Sequence, residues 1–403
     1  MKLKKILFLG SVLPRTALAF PVYSLVAAYL ALPAYRKLNV VFGLGLVFFM
    51  YLVQFCILSL GHRLSFVSFI LEFLMIMPLF IIIFSSSYAY KGYGNFILKA
   101  NLAVSILSCI SMALYHGFPA KLPYINFLPD AISAFWGNGG VKIVTILGFF
   151  GILYSVMTRF KDGYLLSVFS MINFLAPSYN IGIMCGILAL GFYVLRNGSI
   201  KTLFLCFVFF ILFFLLVVPY INSRLGEVNS LFVEEFGFHP KIYSFFIVSK
   251  VFIENPLTIL LGAGLGNFSG SAALWSSDYL AEISSHERIN LPGLYQSSLM
   301  TNYLDPALSL ITLDRWSLSS SLNKPYSTFS TLIVENGFVF GCGIIFLFFK
   351  SMFKIFISNL AICLSIFFFL VFLFDNLHSN PLFWIACLFG IRSLISVEFE
   401  NDC

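Results

Sequence analysis

Apolar segments of about twenty residues follow one another along most of this 403-residue chain. A helix needs about 20 mostly apolar residues to cross the hydrocarbon of a bilayer, where its backbone groups must pair within the segment. Only 10% of the residues are charged, against roughly a quarter in soluble domains. We therefore predict an all-α polytopic membrane protein. The predicted spans cover residues 17–35, 38–60, 65–87, 95–117, 141–159, 162–178, 179–196, 201–221, 328–349, 359–378 and 380–397.

Basic residues collect in every second connection between these spans. They are Arg36, Lys37, Lys91, Arg159, Lys161, Arg196, Lys201, Lys350 and Lys354. Because cytoplasmic loops are enriched in Lys and Arg, we predict that these connections are cytoplasmic and that the others face outward. Eleven spans would place the basic N-terminus outside. The first 35 residues therefore hold either one span or two short or re-entrant passes, which gives eleven or twelve helices.

Residues 222–326 form the long interval that no predicted span covers. This interval carries six Lys/Arg and nine Asp/Glu, so its net charge is −3, while the rest of the chain carries +10. We predict an extracytoplasmic (periplasmic) loop of short helices, which divides the chain into residues 1–221, 222–326 and 327–403. The overall charge of +7 reflects the basic cytoplasmic connections and does not indicate a nucleic acid partner. Apolar spacing over 241–256 predicts a helix lying on the membrane surface.

Several classes of site lack their sequence signature. The run Gly262-x-Gly264-x-Gly266 follows no predicted strand and opens no crossover unit, so it is not a dinucleotide fingerprint. The loop histidines His239 and His286 lie far apart in sequence and show no ligand spacing. We therefore predict neither a cofactor nor a metal ion. Glu72 and Lys99 lie within spans, but the spans carry no ladder of acids, which disfavours a secondary transporter.

An ordered series of short motifs surrounds the loop. It comprises Pro177-Ser178-Tyr179, Arg224, Lys241, Asn255-Pro256, Gly262-Ala-Gly264-Leu-Gly266-Asn267-Phe268, Pro325-Tyr326 and Glu335-Asn336-Gly337-x-x-x-Gly341. In this order and topology the chain resembles the O-antigen polymerase and O-antigen ligase superfamily of bacterial envelope glycosyltransferases. The resemblance covers roughly residues 170–350. It implies a GT-C-like arrangement of helices in the bacterial inner membrane with one large outer loop.

The resemblance also implies a reaction. A glycan would pass from undecaprenyl diphosphate to a sugar hydroxyl of a second lipid-linked repeat unit, without a nucleotide sugar. The substrate would be the undecaprenyl-diphosphate-linked oligosaccharide within the lipid bilayer, and a chain-length regulator protein is a candidate partner. Positive charge suits a diphosphate leaving group, and the predicted diphosphate contacts are Arg224, Lys241 and Arg315. The predicted catalytic residues are Glu335 and Asp314, with Tyr326 as a hydrogen-bonding partner.

The chain departs from the family pattern at three positions. Tyr179 and Lys241 stand where the family usually has Arg, and Tyr326 stands about where ligase-type members place their catalytic His. The missing His favours a polymerase of O-antigen or of capsular or exopolysaccharide. The alternatives are a ligase-type transferase and, in a different class, a lipid-linked oligosaccharide flippase or polysaccharide exporter. Glu335 with Gly337 also suits a role in helix packing.

Overall fold

The computed structural model describes residues 37–84, 95–112, 138–161, 163–175, 179–197, 230–277, 291–312, 324–356, 358–378 and 380–401. Every regular element within these residues is a helix, so the predicted all-α class is confirmed for them. Six described helices precede residue 200. They are α1 (Lys37–Leu58), α2 (Phe66–Phe84), α3 (Phe96–Met112), α4 (Asn138–Met157), α5 (Tyr164–Leu175) and α6 (Asn180–Asn197). The predicted spans at 17–35 and 201–221 lie outside the described residues.

Short helices form the described part of the predicted loop. They are α7 (Ser230–Phe236), α8 (Pro240–Glu254), α9 (Leu257–Leu261), α10 (Ser271–Trp275), a π-helical turn (Met300–Leu304) and α11 (Asp305–Thr312). The predicted helix over 241–256 is present as α8. It begins after His239, whose ring accepts a hydrogen bond from the backbone of Lys241, and Pro240 suits its first position because that position needs no N–H donor.

Four helices follow the loop, and they correct one prediction. They are α12 (Thr328–Asn336), α13 (Phe338–Ile355), α14 (Ser358–Phe374) and α15 (Pro381–Asn401). The single span predicted over 328–349 is wrong, because Gly337 interrupts it with a φ of 79°. A Cβ at Gly337 would lie 2.5 Å from the carbonyl oxygen of Leu260, and one at Gly262 would meet the carbonyl of Glu335. The break therefore lets the backbone before α13 pack directly against the end of α9.

Two of the described helical stretches are long and apolar enough to cross a membrane. They are Val40–Leu58 and Phe66–Phe84, of 19 residues each. Further apolar helical stretches in the described residues are 10–17 residues long. The outer face of α1 is strongly apolar, with Phe42 74% and Phe49 64% exposed. Such a face suits contact with lipid or with another protein better than contact with water.

The buried side chains form two hydrophobic cores. The larger core lies among α2 to α6 and α12 to α15, where α4 packs against α5 and α15 and where α6 packs against α14. In this core the rings of Phe149 and Phe367 stack at 4.1 Å. Gly148 allows α5 to approach closely, since a Cβ there would lie 2.7 Å from the Ser170 carbonyl.

The smaller core belongs to the loop segment and joins it to the bundle. It contains Phe232, Ile247, Val248, Val251, Ala263, Phe268, Ala273, Leu299, Met300, Leu304, Ala307, Leu308, Tyr326 and Val334. Hydrogen bonds also connect the loop segment to the bundle: Ser65 N donates to Asn267 Oδ1 at 2.7 Å, and the Tyr295 hydroxyl donates to the Leu64 carbonyl at 2.6 Å. The loop segment therefore lies against the α1–α2 connection.

Candidate functional site

Basic, acidic and phenolic side chains from several helix ends meet beside the loop segment. We call this set the lysine cluster; it consists of Lys142, Tyr179, Lys241, Lys324, Tyr326 and Asp375. Lys142 lies in the first turns of α4, Tyr179 directly before α6, and Asp375 directly after α14. The loop side contributes the start of α8 and the residues before α12. The cluster thus exists only where these separate ends converge.

Asp375 is the centre of the cluster. The Nζ of Lys142 lies 2.8 Å from Asp375 Oδ2 and 3.0 Å from Oδ1. The Tyr179 hydroxyl donates to Oδ2 at 2.6 Å, and the backbone N–H of Asn376 donates to Oδ1 at 2.7 Å. The Asp375 carbonyl also accepts bonds from the N–H and the hydroxyl of Thr328, each at 2.8 Å. Asp375 therefore ties the end of α14 to α4, α6 and the start of α12.

Lys241 brings a buried positive charge to the same place. Its side chain is only 6% exposed, and Nζ donates to the Tyr326 carbonyl at 2.5 Å. Burial lowers the pKa of Lys241 to about 7; Asp375 opposes this shift, and the nearby charges of Lys324 and Lys142 add to it. With this one hydrogen bond among the described residues, the buried ammonium of Lys241 retains two N–H donors for a ligand.

Lys324 adds a third basic side chain to the lysine cluster. Burial lowers its pKa to about 8, with the charge of Lys142 acting in the same direction and Asp375 opposing it. Within the part of the chain that the structure describes, Lys324 has neither a hydrogen bond nor an ion pair. Three lysines therefore share a single described carboxylate. Lys241 is buried, and Lys142 and Lys324 are partly buried. Charges withdrawn from water are normally paired, so the excess of positive charge among the described residues indicates a site for an anion.

The predicted base Glu335 lies elsewhere, under the segment 262–270, which we call the glycine turn. Oε1 of Glu335 accepts backbone N–H bonds from Phe268, Ser269 and Gly270 at 3.1, 2.9 and 2.7 Å. Oε2 accepts the N–H of Gly266 at 2.9 Å. The residue is fully buried. Four donors from one turn hold this carboxylate in place, so the geometry favours a role in positioning the turn over a role as a free base.

Glu72 and His378 complete a second buried cluster with Glu335. One ligand atom from each of these three side chains lies within 4.8 Å of the others. Glu72 belongs to α2 and also accepts the backbone N–H of Ala272 at 2.9 Å. Among the described residues, these are the side chains whose arrangement could hold a metal ion. Asn376 connects the two clusters, since its amide donates to the Ser269 carbonyl at 2.9 Å.

The structure brings some of the predicted site residues together and separates others. Lys241 and Tyr326 are direct neighbours in the lysine cluster, whereas Glu335 lies in the second cluster. The predicted residues Arg224, Asp314 and Arg315 lie outside the described residues.

Sequence reasoning did not select Lys142, Lys324 or Asp375. Lys142 and Asp375 stand alone near the ends of apolar segments, as interfacial charges commonly do. Lys324 gave a usable signal, since only Pro325 separates it from Tyr326.

No protein-family model matches this chain, and neither the curated proteins nor the solved structures contain a detectable match to it. What the chain does must therefore be inferred from its own residues and their arrangement.

Proposed function

We propose that this protein is a polytopic inner-membrane polymerase that joins lipid-linked oligosaccharide repeat units, with the lysine cluster as its diphosphate site. The observation that carries the proposal is the excess of positive charge among the described residues of that cluster, where Lys241 is buried, Lys142 and Lys324 are partly buried, and Asp375 is the carboxylate. An anionic diphosphate supplies the missing negative charge, and lysine ammonium groups are suited to bind it. The order of motifs around the outer loop is the reason for proposing lipid-linked oligosaccharides as the substrate class.

The positions of the cluster residues support the proposed topology. Positive charge in alternate connections assigns the residues before α4, α6 and α12 and those after α14 to the outer side of the membrane. The same ends meet in the lysine cluster, although hydropathy and charge bias carry no information about contacts. A lipid-linked donor would present its diphosphate at this membrane surface, with its glycan toward the loop segment.

The proposed reaction needs an acceptor hydroxyl but no energy source other than the activated donor. The bond between the anomeric carbon and the diphosphate oxygen breaks, and a bond from the acceptor hydroxyl oxygen to that carbon forms. The lysines stabilise the charge that develops on the leaving diphosphate, which is commonly a large term in catalysis.

The hydroxyl proton requires an acceptor. Glu335 is held in the second cluster by four backbone N–H bonds, and Asp375 is paired with Lys142, so Asp314 is the remaining predicted base.

The proposal is tested in a strain that lacks the gene and carries a plasmid copy. Loss of a polymerase leaves single repeat units on the terminal acceptor or on the lipid carrier. Loss of a ligase leaves polymer on the carrier lipid, and loss of a flippase leaves single units trapped inside the cell. Lipid-linked products are separated and sized for each strain. Polymer of normal length in the deletion strain would refute the proposed function.

Lys241→Ala tests the site within that assay, and Lys250→Ala is its matched control. Both lysines lie on α8, but Lys250 is exposed and forms an ion pair with Glu254 at 3.9 Å. We expect Lys241→Ala to abolish chain extension, because it removes a buried cation from the diphosphate site, and Lys250→Ala to leave the polymer length distribution unchanged. Membrane abundance of both variants is measured by immunoblot. Normal polymer in Lys241→Ala would remove this residue from the site.

A further inference from the structure

We propose that Glu72, Glu335 and His378 bind one divalent first-row transition metal ion, Mn²⁺ or Zn²⁺, which fastens the glycine turn to the helix bundle. This inference does not depend on the proposed glycan chemistry. It assigns a function to a buried cluster that the diphosphate site does not use.

The three side chains come from separate elements and are enclosed by protein. Glu72 lies on α2, Glu335 on α12 and His378 in the connection between α14 and α15. All three are fully buried, and one ligand atom from each lies within 4.8 Å of the other two. Two carboxylates and one imidazole are a common donor set for transition metals in proteins.

One unsatisfied atom of Glu72 and one of His378 face each other in the cluster. Oε1 of Glu72 and both ring nitrogens of His378 find no hydrogen-bond partner among the described residues. Oε1 and Nε2 nevertheless lie 3.1 Å apart, so the two atoms are close without the alignment of a hydrogen bond. Neighbouring ligands of one ion, each bonded at about 2.1 Å, lie roughly 3.0–3.4 Å apart. The observed spacing falls in this range, and it is also the spacing of an ion pair between a protonated His378 and Glu72.

The carboxylates also keep lone pairs for an ion. Each carboxylate oxygen offers about two acceptor positions. Oε1 of Glu335 is fully used by three N–H donors, but among the described residues Oε2 accepts only the N–H of Gly266. Oε2 of Glu72 accepts the N–H of Ala272, while Oε1 accepts none from the described residues. One oxygen of each glutamate is therefore available.

Charge balance favours a divalent ion. Metal ligation requires deprotonated carboxylates and a neutral imidazole, and in that form the cluster carries two negative charges inside the protein, which persist only when they are paired or bound to a metal. One divalent cation neutralises them. The imidazole favours Mn²⁺ or Zn²⁺ over Mg²⁺ or Ca²⁺, which prefer oxygen ligands alone.

The test measures metal content of the full-length protein. The chain is purified in detergent through a tag without histidines, loaded with Mn²⁺ or Zn²⁺, passed over a desalting column and analysed by mass spectrometry for metals. We expect about one ion per chain in the wild type and, because ligand-shell changes cost tenfold or more in affinity, at least about tenfold lower retention in Glu72→Gln and His378→Gln. His62→Gln is the matched control and should retain the ion. A wild type that retains no ion, or variants that retain it like the control, would overturn the proposal.

A second measurement covers the case in which the variants fail to fold. Pulsed electron paramagnetic resonance of Mn²⁺ bound to the wild type is recorded with natural and with ¹⁵N-labelled histidine. One directly bound imidazole nitrogen is the expected signature of His378. Bound Mn²⁺ without a histidine coupling would place the ion elsewhere and reject the site.

Discussion

Lys241 shows how position changes the chemistry of one side chain. An exposed lysine is fully charged near neutral pH, whereas burial beside two other lysines lowers the pKa of Lys241 to about 7. Lys241 can therefore release its proton near neutral pH, which reduces the repulsion among the three lysines. An incoming diphosphate would restore that proton, since a nearby negative charge favours the charged form of a lysine. Substrate binding would then be accompanied by proton uptake.

Diphosphate binding is expected to weaken as pH rises. Lys241 and Lys324, with pKa values lowered to about 7 and about 8, are protonated below these values and lose their charges above them. Each lost charge should weaken binding on the order of tenfold, because a hydrogen bond to a charged group contributes about 1.5–3 kcal/mol. Calorimetry with inorganic diphosphate between about pH 6.5 and 9 measures this dependence.

Lys241→Arg is the control for that dependence, because arginine stays charged throughout the range. The ionisation of diphosphate itself is common to both proteins. The variant should therefore show a shallower decline between about pH 6.5 and 8. Identical pH profiles for the variant and the wild type would show that Lys241 does not titrate at the site.

A substitution of Glu335 distinguishes a role in positioning the glycine turn from a role as the catalytic base. In Glu335→Gln the side chain loses its negative charge and one of two acceptor oxygens, while four backbone N–H groups of the glycine turn still need acceptors. A positioning role predicts a loss of roughly 2–3 kcal/mol in stability, comparable to unsatisfied or weakened bonds to a charged group. Thermal unfolding in detergent gives the measurement. A stable variant without polymerase activity would instead restore Glu335 as the base.

At the scale of elements, the junction of α9, α12 and α13 is built from close backbone contacts. Gly337 ends α12 with a positive φ, and Ala263 N donates to the Val334 carbonyl at 2.6 Å. Gln54 of α1 donates to the Glu335 carbonyl at 2.9 Å. These bonds pair backbone groups that the helix break would otherwise leave unsatisfied within the protein. The helix break at Gly337 is thus part of the packing contact between the loop segment and the bundle.

Gly337→Ala is expected to destabilise the protein. Its Cβ would lie 2.5 Å from the Leu260 carbonyl oxygen, and its φ of 79° is a strained conformation for alanine. Strain of this kind costs of order 1–3 kcal/mol. Gly343→Ala is the control, because that glycine lies within α13 and its Cβ would meet nothing within 4 Å. Gly337→Ala should unfold at a lower temperature than Gly343→Ala. Equal unfolding temperatures would contradict the close packing at Gly337.

Helix α8 has an unusual exposed face. Ile242, Phe246 and Ile253 are 54%, 48% and 77% exposed, while Lys241, Ser244 and Val251 are buried. Lys241 points inward to the lysine cluster, while Ile242, Phe246 and Ile253 point outward. This apolar outer face favours a helix that lies in the membrane surface, as its apolar spacing predicts, with lipid covering the exposed side chains.

At the scale of the whole molecule, the proposed topology can be tested by chemical labelling. Single cysteines are introduced by Gly61→Cys, Lys250→Cys and Lys161→Cys into a chain whose native cysteines are replaced. A membrane-impermeant maleimide should label the first two in intact spheroplasts, because both positions lie on the proposed outer side. Lys161→Cys should react only after the membrane is opened. Labelling of Lys250→Cys only from the inside would reject the outer loop and the enzyme assignment with it.

Hydropathy alone predicted most of the described helices, because an apolar segment of this length has few alternatives to a helix. The predicted ranges 38–60, 65–87 and 179–196 match α1, α2 and α6 to within a few residues. The spacing of Lys241 to Pro256 similarly predicted α8. The break at Gly337 was missed, since a glycine inside an apolar run does not show whether another backbone will pack against it.

The sequence by itself determined that this chain is strongly apolar, that its described regular elements are helices and where most of them run, and it selected Lys241 and Tyr326 as site residues. Only the tertiary structure decided that Lys142, Lys324 and Asp375 join them, because these residues come from helix ends far apart in the chain and local patterns carry no information about which ends meet. It also placed Glu335 under the glycine turn with Glu72 and His378. Local sequence fixes helices through short-range hydrogen bonding and hydropathy, whereas both sites arise from long-range packing.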